Sequence, residues 1–513
     1  MSASIDLDAI LRDIGPRCAA QAAAGDAAAA FVAEAYDALR AHKVFSALVP
    51  AAYGGGGATH GAMCGFLRGL ARNCPSTALA LSMHQHLVAT ALANDRAGRP
   101  GRALLEKVAA AEAILVSTGA NDWLDSNGTA ERVDGGYRVT AVKPFASGSP
   151  KGDLMVTSAA YDDPADGAQV LHFPLPLSAA GVTPQGDWDA LGMRGTGSQT
   201  VRLDAVFVPE AAVVLRRPRG AFHPALAVVL TAALPLIMAA YLGTAEAAAA
   251  IARDRAGLRP DDPVAPLLVG EMETLLTTAQ VMHADMVQLA NDLDFVPSAA
   301  LAAAMLTRKT VVAEHAVAAA EKALEVAGGQ GFMRPLGLER LLRDVHGAQF
   351  HPLPAKRQQL FAGRIALGLD PVAGAVAPAR SATCPARRPA GHCDVAAPAV
   401  HARLRAMASF LKRIFGGGEG GEPAAGGGTK KGEAIEYEGL VIRAAPESAG
   451  GQWRLAGVIE KQTEAGTLER VFQRADTFAS RDEAESYAVR KGKQIIDERG
   501  PALFADGAQT GRC

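Results

Sequence analysis

Apolar residues over positions 1–111 recur at helical spacing in an alanine-rich background, broken by VPAAYGGGGATHG (49–61), which reads as a loop. From 112 to about 216 the period changes to two. GYRVTAVKPFASG, GDLMVTSAAY and VRLDAVFV alternate like strands, with glycine, proline and aspartate between them. In the last run Val201, Leu203, Ala205 and Phe207 alternate with Arg202 and Asp204, and Pro209 stops it. The stretch before it, LGMRGTGSQ (191–199), leads from glycines into a strand. A phosphate-cradling loop runs from strand to helix, so none is present here. From 221 to 327 the helical period returns. One long helix is expected from Pro297–Ser298 to Val326, with Leu301, Met305, Val312, His315 and Val317 along it and Gly328 and Gly329 at its end.

The segment ALAVVLTAALPLIMAAYL (225–242) has no charge and enough length to span a membrane. Pro235 in its middle, its alanine content and the lack of a second such segment instead predict a helix buried in a bundle. Beyond 374 the periodicity stops. Residues 375–406 are rich in Ala, Pro and Arg and read as disordered linker. MASFLKRIFGGG, starting at Met407, reads as the former start of an independent protein, so the chain is expected to be a fusion. In the last block EYEGLVIRAAPE, QWRLAGVIEKQ and LERVFQRADTF read as strands, with Trp453, Leu455 and Ile459 on one face. A capping box, Ser480 to Glu483, opens a helix through Asp497. The expected layout is 1–111 helical, 112–220 a β-sandwich or barrel, 221–374 a four-helix bundle, 375–434 linker and 435–505 a small α+β unit.

Composition adds little to this. The chain has 513 residues, 49% of them hydrophobic, enough for several packed domains. A net charge of −2 implies no general polyanion-binding surface, so no nucleic-acid partner is expected for the main part. The six cysteines have no regular spacing and suggest free thiols in a reducing compartment. The acidic start MSASIDLDAILRD lacks a basic and apolar leader, which also favours the cytoplasm. Cys384, His392 and Cys393 lack zinc-site spacing, and no metal is expected.

Four stretches in order carry a resemblance to the acyl-CoA dehydrogenase superfamily. VSTGAND (116–122) is similar to its T-E-P-x-A-G-S-D turn, and Lys143-Pro-Phe145-Ala-Ser147-Gly148 to its K-x-[W/F]-x-[T/S]-[N/G]. LGMRGTGS…LDAVFVP (191–209) and AGGQGFMRPLGLERLLRD (327–344) complete the set. The resemblance implies a flavin between the β region and the second helical region, FAD in most members, with FMN as the alternative. It implies Ser147 bonding the flavin near N5/O4, Phe145 against the ring, and Thr118 at the pyrimidine end. It places Gly328, Gly329 and Gly331 on a neighbouring subunit's cofactor, hence a homo-dimer or homo-tetramer. The activity it implies first is oxidation of the Cα–Cβ bond of an acyl thioester such as acyl-CoA, with hydride passing to flavin N5.

The chain departs from the family where the base should lie. His351-Pro-Leu-Pro354 stands in place of the glutamate motif, no acid occurs between 221 and 245, and ARDRAGLRPDDP (252–263) replaces R-x-x-F-G. Histidines stand near those places: His351, and His84 and His86 in SMHQHLVAT. Reduced-flavin monooxygenases of the same fold use histidines near such positions, to assist hydroperoxide formation on the flavin or to deprotonate the substrate. The alternatives to a dehydrogenase are therefore such a monooxygenase, or a non-catalytic binding or regulatory protein. Because His84 and His86 are two apart, at most one of them is expected to face the site. Residues 407–513 resemble HlyU-type regulators, although they show no helix-turn-helix pattern.

Overall fold

The computed structural model describes residues 5–118, 122–372, 432–449, 452–463, 466–478, 480–505 and 508–512. They fall in two compact units, Met1–Thr383 and Cys384–Cys513. Gly119 to Asn121 of the first signature, and the linker with Met407, Cys384, His392 and Cys393, lie outside the described residues.

The first unit opens with α1 (Leu7–Ala28), α2 (Ala33–Ala41), α3 (His60–Ala71), α4 (Pro75–Arg96) and α5 (Arg102–Ala111). Side-chain caps set the starts of two of them: Asp6 accepts from Ala9 N and Thr59 from Ala62 N. α4 begins with Pro75, whose missing N–H costs nothing in a first turn, and is buried on almost every face.

The middle strands are β1 (Leu115–Ser117), β2 (Thr129–Val133), β3 (Gly136–Ala146), β4 (Leu154–Asp163), β5 (Gly167–Pro176), β6 (Val182–Pro184), β7 (Gln199–Pro209) and β8 (Leu215–Pro218). They pair in one path, β6-β7-β3-β2-β4-β5-β8, with β1 beside β4. Its two halves are joined through the single β2–β4 pair Thr129↔Ala160, and Tyr137 of one half meets Tyr161 of the other edge-on at 5.2 Å. The path does not close, so the barrel form of the expectation does not apply. The expected alternation on β7 also breaks. Ala205 adopts φ 47° in a bulge opposite β3, which shifts the phase by one residue. Val206 and Val208 therefore turn inward, and Phe207, expected inside, is 46% exposed.

A buried ion pair ties two of the signatures together. Lys143 Nζ on β3 lies 2.5 Å from Asp122 Oδ2 and 2.7 Å from the Asn127 carbonyl, with both charged side chains buried. Asp122 Oδ1 also accepts from Asn127 N. This fastens the turn after Thr118 to the strand that leads to Phe145 and Ser147.

Next come α6 (Pro224–Gly257), α7 (Ala265–Ala290), α8 (Ala299–Ala327), α9 (Leu338–Val345) and α10 (Ala355–Ala366). α6 is long and apolar enough to cross a membrane, yet 83% of its most apolar window is buried inside the protein. Its first half shares one core with α1 to α4, so the two helical regions are fused along it. Gly243 is required where α6 crosses α3, because a Cβ there would lie 2.1 Å from the Arg68 carbonyl. One turn on, the Glu246 carboxylate gathers Arg68, Arg72 and Gln280. Near Pro235, His60 and His283 each donate a ring N–H at 2.9 Å to the carbonyls of Ala232 and Pro235. α8 matches its expected span: Ser298 caps it and Gly328 (φ 64°) ends it.

The second unit holds β9 (Ala434–Tyr437), β10 (Leu440–Ala444), β11 (Glu447–Ala449), β12 (Gln452–Thr463), β13 (Gly466–Phe478), α11 (Arg481–Arg499) and β14 (Thr510–Arg512). The first expected strand is in fact a hairpin, turning at Glu438 (φ 50°) and Gly439 (φ 73°), with Tyr437 opposite Leu440. Ile442, Leu455, Ile459 and Phe472 pack beneath Ala488 and Ile495 of α11.

Removing one partner of the Lys143–Asp122 pair strands a buried charge. Lys143→Met is expected to destabilise the first unit by about 3–5 kcal/mol. Lys143→Met with Asp122→Leu should recover part of that loss. Urea denaturation of the intact chain, with a double-mutant cycle, measures both.

Candidate active site

β3 ends in an aromatic shelf. Phe145 is held in the left-handed region at φ 61° and is 50% exposed, and Trp188 meets its ring edge-on at 6.1 Å. A non-glycine residue in that region is strained, and such strain is concentrated at functional positions. Next to it lies a chain of hydroxyls. Ser147 Oγ is 2.7 Å from Ser198 Oγ, Ser198 Oγ is 2.7 Å from Thr196 Oγ1, and Thr196 Oγ1 donates to the Met193 carbonyl at 2.9 Å. A half-open aromatic face bordered by a hydroxyl suits a flat heteroaromatic ring with a polar edge, so these groups fit a flavin.

The glycine-rich segment 191–197 is braced from behind. Asp344 of α9 accepts from Met193 N, and Arg343 donates to the Leu191 carbonyl. A Cβ on Gly192 would lie 2.1 Å from the Arg343 carbonyl, so glycine is needed for this approach. The third and fourth signatures are thus two sides of one contact.

The histidines lie on the helical side. His351 follows the turn after α9, and its Nδ1 is 2.7 Å from the Tyr241 hydroxyl of α6. Lys309 on α8 is 1% exposed, and its ammonium donates to the carbonyls of His351 (2.8 Å) and Leu353 (3.2 Å). Burial pushes the Lys309 pKa down to about 8. Burial, and then the Lys309 charge, push His351 down to about 4. His86 on α4 is 5% exposed, and its Nδ1 is buried without a partner. Burial, then His351, then His84 push its pKa down to about 3. His351 therefore bears on His86, and both imidazoles are neutral at pH 7.

His84 is a different case. It lies 2.8 Å from the Phe45 carbonyl through Nε2 and accepts from Leu115 N at 2.9 Å through Nδ1. Both ring nitrogens are committed to backbone, which corrects its expected catalytic role: it fastens α4 to β1. The Thr118 hydroxyl, just past β1, bonds Thr157 Oγ1 at 2.7 Å. Gly328, Gly329 and Gly331 form the turn that ends α8, about 28 Å along the helix axis from Lys309 at 1.5 Å per residue. Within one chain they are not brought to His351. His346 is half-buried beside Gln349 and Glu321, and Glu271 and Glu273 pair with Lys322 and Arg253.

Tyr241 and Lys309 were not singled out in the sequence. The signal for Lys309 was present: it sits in the apolar stripe of α8, between Met305 and Val312, where a lysine has no solvent.

Comparison with known proteins places family domains on parts of the chain. Residues 12–110 match the model "Acyl-CoA dehydrogenase, N-terminal domain", and residues 236–354 match "Acyl-CoA dehydrogenase, C-terminal domain". Residues 12–110 and 236–354 of the larger unit are thus acyl-CoA dehydrogenase-type domains. Residues 409–504 match "Transcriptional activator HlyU", so the chain is a fusion. The larger unit is an enzyme of the acyl-CoA dehydrogenase fold, a flavin-dependent oxidoreductase. It is similar to isobutylamine N-hydroxylase of Streptomyces viridifaciens, at 29% identity over 62% of this chain and 84% of that protein. It is similar to the putative acyl-CoA dehydrogenase YdbM of Bacillus subtilis, at 28% identity over 64% and 88%. Among solved structures it resembles KijD3 in complex with FMN and a dTDP-linked amino keto sugar. That match has 26% identity and a TM-score of 0.65 over 72% of this chain and 96% of that one.

The buried histidines fix how stability depends on pH. Burial lowers His84, His283 and His351 to about 4, and His86 and His172 to about 3. Unfolding restores ordinary imidazoles, so the unfolded chain takes up protons that the folded chain refuses. Their contribution is complete above pH ~6.5 and is lost as pH falls from there toward 4. Asp344, raised to about 7 by burial, and Glu112, also raised chiefly by burial, act the other way, their contribution fading as pH rises, but they are two groups against five. The urea midpoint of the larger unit should therefore fall steeply between pH 7 and pH 5, and a flat profile would contradict the burial described.

Proposed function

We propose that the larger unit is a monooxygenase that uses reduced flavin and dioxygen, and not an acyl-CoA dehydrogenase. The observation that carries this reading is the loss of the family's carboxylate base, at whose place Pro352 stands, next to His351, a neutral imidazole whose charge would bear on His86, itself buried with Nδ1 unpartnered. α-Proton abstraction from a thioester needs an acid residue at that place, and 351–354 offers none.

Phe145, Ser147 and Thr118 would hold the flavin. When bound and reduced, it supplies the electrons that let dioxygen give one atom to the substrate and one to water. His351 keeps Nδ1 on Tyr241, which leaves Nε2 to hold or take a proton. Lys309 fixes the backbone that carries His351, and burial, then the Lys309 charge, keep that ring neutral. His86 offers a second neutral imidazole for the substrate's proton.

FMN is the preferred flavin in this reading. R-x-x-F-G is missing, and Arg259 near its place is committed to the Val326 carbonyl and to Asp262. KijD3 is described in complex with FMN. The named activities of relatives, isobutylamine N-hydroxylase, amino sugar nitrososynthase and dibenzothiophene monooxygenase, support a nitrogen- or sulfur-bearing substrate.

The finer architecture belongs to the same proposal. Side-by-side packing of α6, α7 and α8, with α10 against α8, supports a four-helix bundle. Exposed Phe332, Met333, Phe350, Leu360 and Leu367 support a homo-dimer or homo-tetramer. The free thiols Cys18, Cys64 and Cys74 favour the cytoplasm.

With reduced FMN and air, the purified chain should oxygenate amines or thioethers from a small panel, followed by mass spectrometry. His351→Ala should slow this about 10²–10⁴-fold while FMN still binds. Anaerobic bleaching of bound oxidised flavin by acyl-CoAs, without oxygenation, would reinstate the dehydrogenase.

A further inference from the structure

The order of protons along the hydroxyl chain beside Phe145 carries an inference that deepens the flavin reading and rests on it. Each hydroxyl has one proton to donate and two lone pairs to accept with. The inner end of the chain is fixed. Thr196 Oγ1 lies 2.9 Å from the Met193 carbonyl oxygen, and two oxygens at that distance attract only with a proton between them. A carbonyl has none, so Thr196 donates. The Thr196 backbone N–H and the Trp188 indole N–H donate to the same carbonyl.

With its proton spent there, Thr196 can only accept from Ser198, 2.7 Å away. Ser198 then has no proton left, so Ser147, 2.7 Å further on, must donate to Ser198. Every proton in the row points inward. No other side-chain contact of the Ser147 hydroxyl occurs among the described residues, and only its lone pairs face outward. Beside the aromatic shelf, the Ser147 side chain therefore offers an acceptor and no donor.

Oxidised and reduced flavins differ at the corresponding edge. Oxidised N5 is a bare lone pair and needs a donor, whereas reduced N5 carries a hydrogen and needs an acceptor. We propose that the Met193–Thr196–Ser198–Ser147 row makes this site selective for the reduced flavin, with Ser198 and Thr196 as the residues that set the selectivity. Thr196 and Ser198 are positioning residues: they act through Ser147 and need not touch the ring.

The test is binding, independent of turnover. Dissociation constants for oxidised FMN, and for dithionite-reduced FMN under argon, are measured on the full chain by equilibrium dialysis, and likewise for FAD. The wild type should bind the reduced form about tenfold more tightly or better, since an unsatisfied or opposed lone pair costs on the order of 1–3 kcal/mol. Ser198→Ala releases the Ser147 proton to point outward. Thr196→Val lets Ser198 donate to Ser147 and has the same effect. Each should shrink the reduced-to-oxidised preference about fivefold or more, mainly by tightening the oxidised form. Ser147→Ala should weaken only the reduced form. Circular dichroism and melting temperature check that each variant folds.

A preference that stays unchanged in both folded variants overturns the proposal, as does a wild type that favours oxidised flavin. Those results leave the flavin site itself standing. If neither flavin binds in either state, the flavin reading fails and takes this proposal with it.

Discussion

A helix that runs from Pro224 to Ala245 without a charged residue has to be enclosed by other protein, and the larger unit is arranged around that requirement. α3 and α4 cover α6 from one side, and α7 and α8 from the other. As a result the N-terminal and C-terminal helices share a core and do not form separate domains. The same enclosure buries what α6 and its neighbours carry. Tyr241 of that helix, and His86 and Lys309 beside it, are dry because the helix cannot be wet, and His351 is half-buried against Tyr241. Their unusual protonation follows from that burial, with neighbouring charge as the second cause.

The family signatures turn out to be joints as much as ligand contacts. Lys143 and Asp122 clamp the first signature to the second. Met193, Gly192, Arg343 and Asp344 lock the third to the fourth. His84 fastens α4 to β1. These contacts lie far apart in sequence and converge on the short stretch that carries Phe145 and Ser147. The polar groups that surround the candidate flavin site are therefore held by buried charge and backbone bonds and not by loops alone. Such support is what keeps a strained residue like Phe145 in place.

The helical and β layout was legible because period and glycine punctuation are local signals. Ser298 and Gly328 bounded α8 as read, and the buried fate of 225–242 followed from its composition. The phase of β7 was not legible, because the bulge at Ala205 is set by pairing with β3, which sequence alternation does not record. The hairpin at Glu438–Gly439 was missed because Glu-Gly is a weaker turn signal than Asn-Gly. At the site, spacing could say that His84 and His86 face different ways. It could not say which was taken up by backbone. Lys309 was overlooked although a lysine in an apolar stripe is itself a marker.

On the proposed reading, what sets this chain apart from a thioester dehydrogenase is the loss of the base carboxylate, with Pro352 at its place and the imidazole of His351 next to it. A buried carboxylate takes its proton and keeps it only at a raised pKa. A buried imidazole is neutral over a wide range and works as donor or acceptor without paying for charge. The account stands on the flavin lying against Phe145 with its N5 edge at Ser147 and the imidazoles of His351 and His86 on the helical side. The most direct measurement is a crystal structure of the full chain grown with FMN under reducing conditions. It should show the ring on that shelf. A ring bound elsewhere, or the Phe145 face closed by the protein's own side chains, would contradict it.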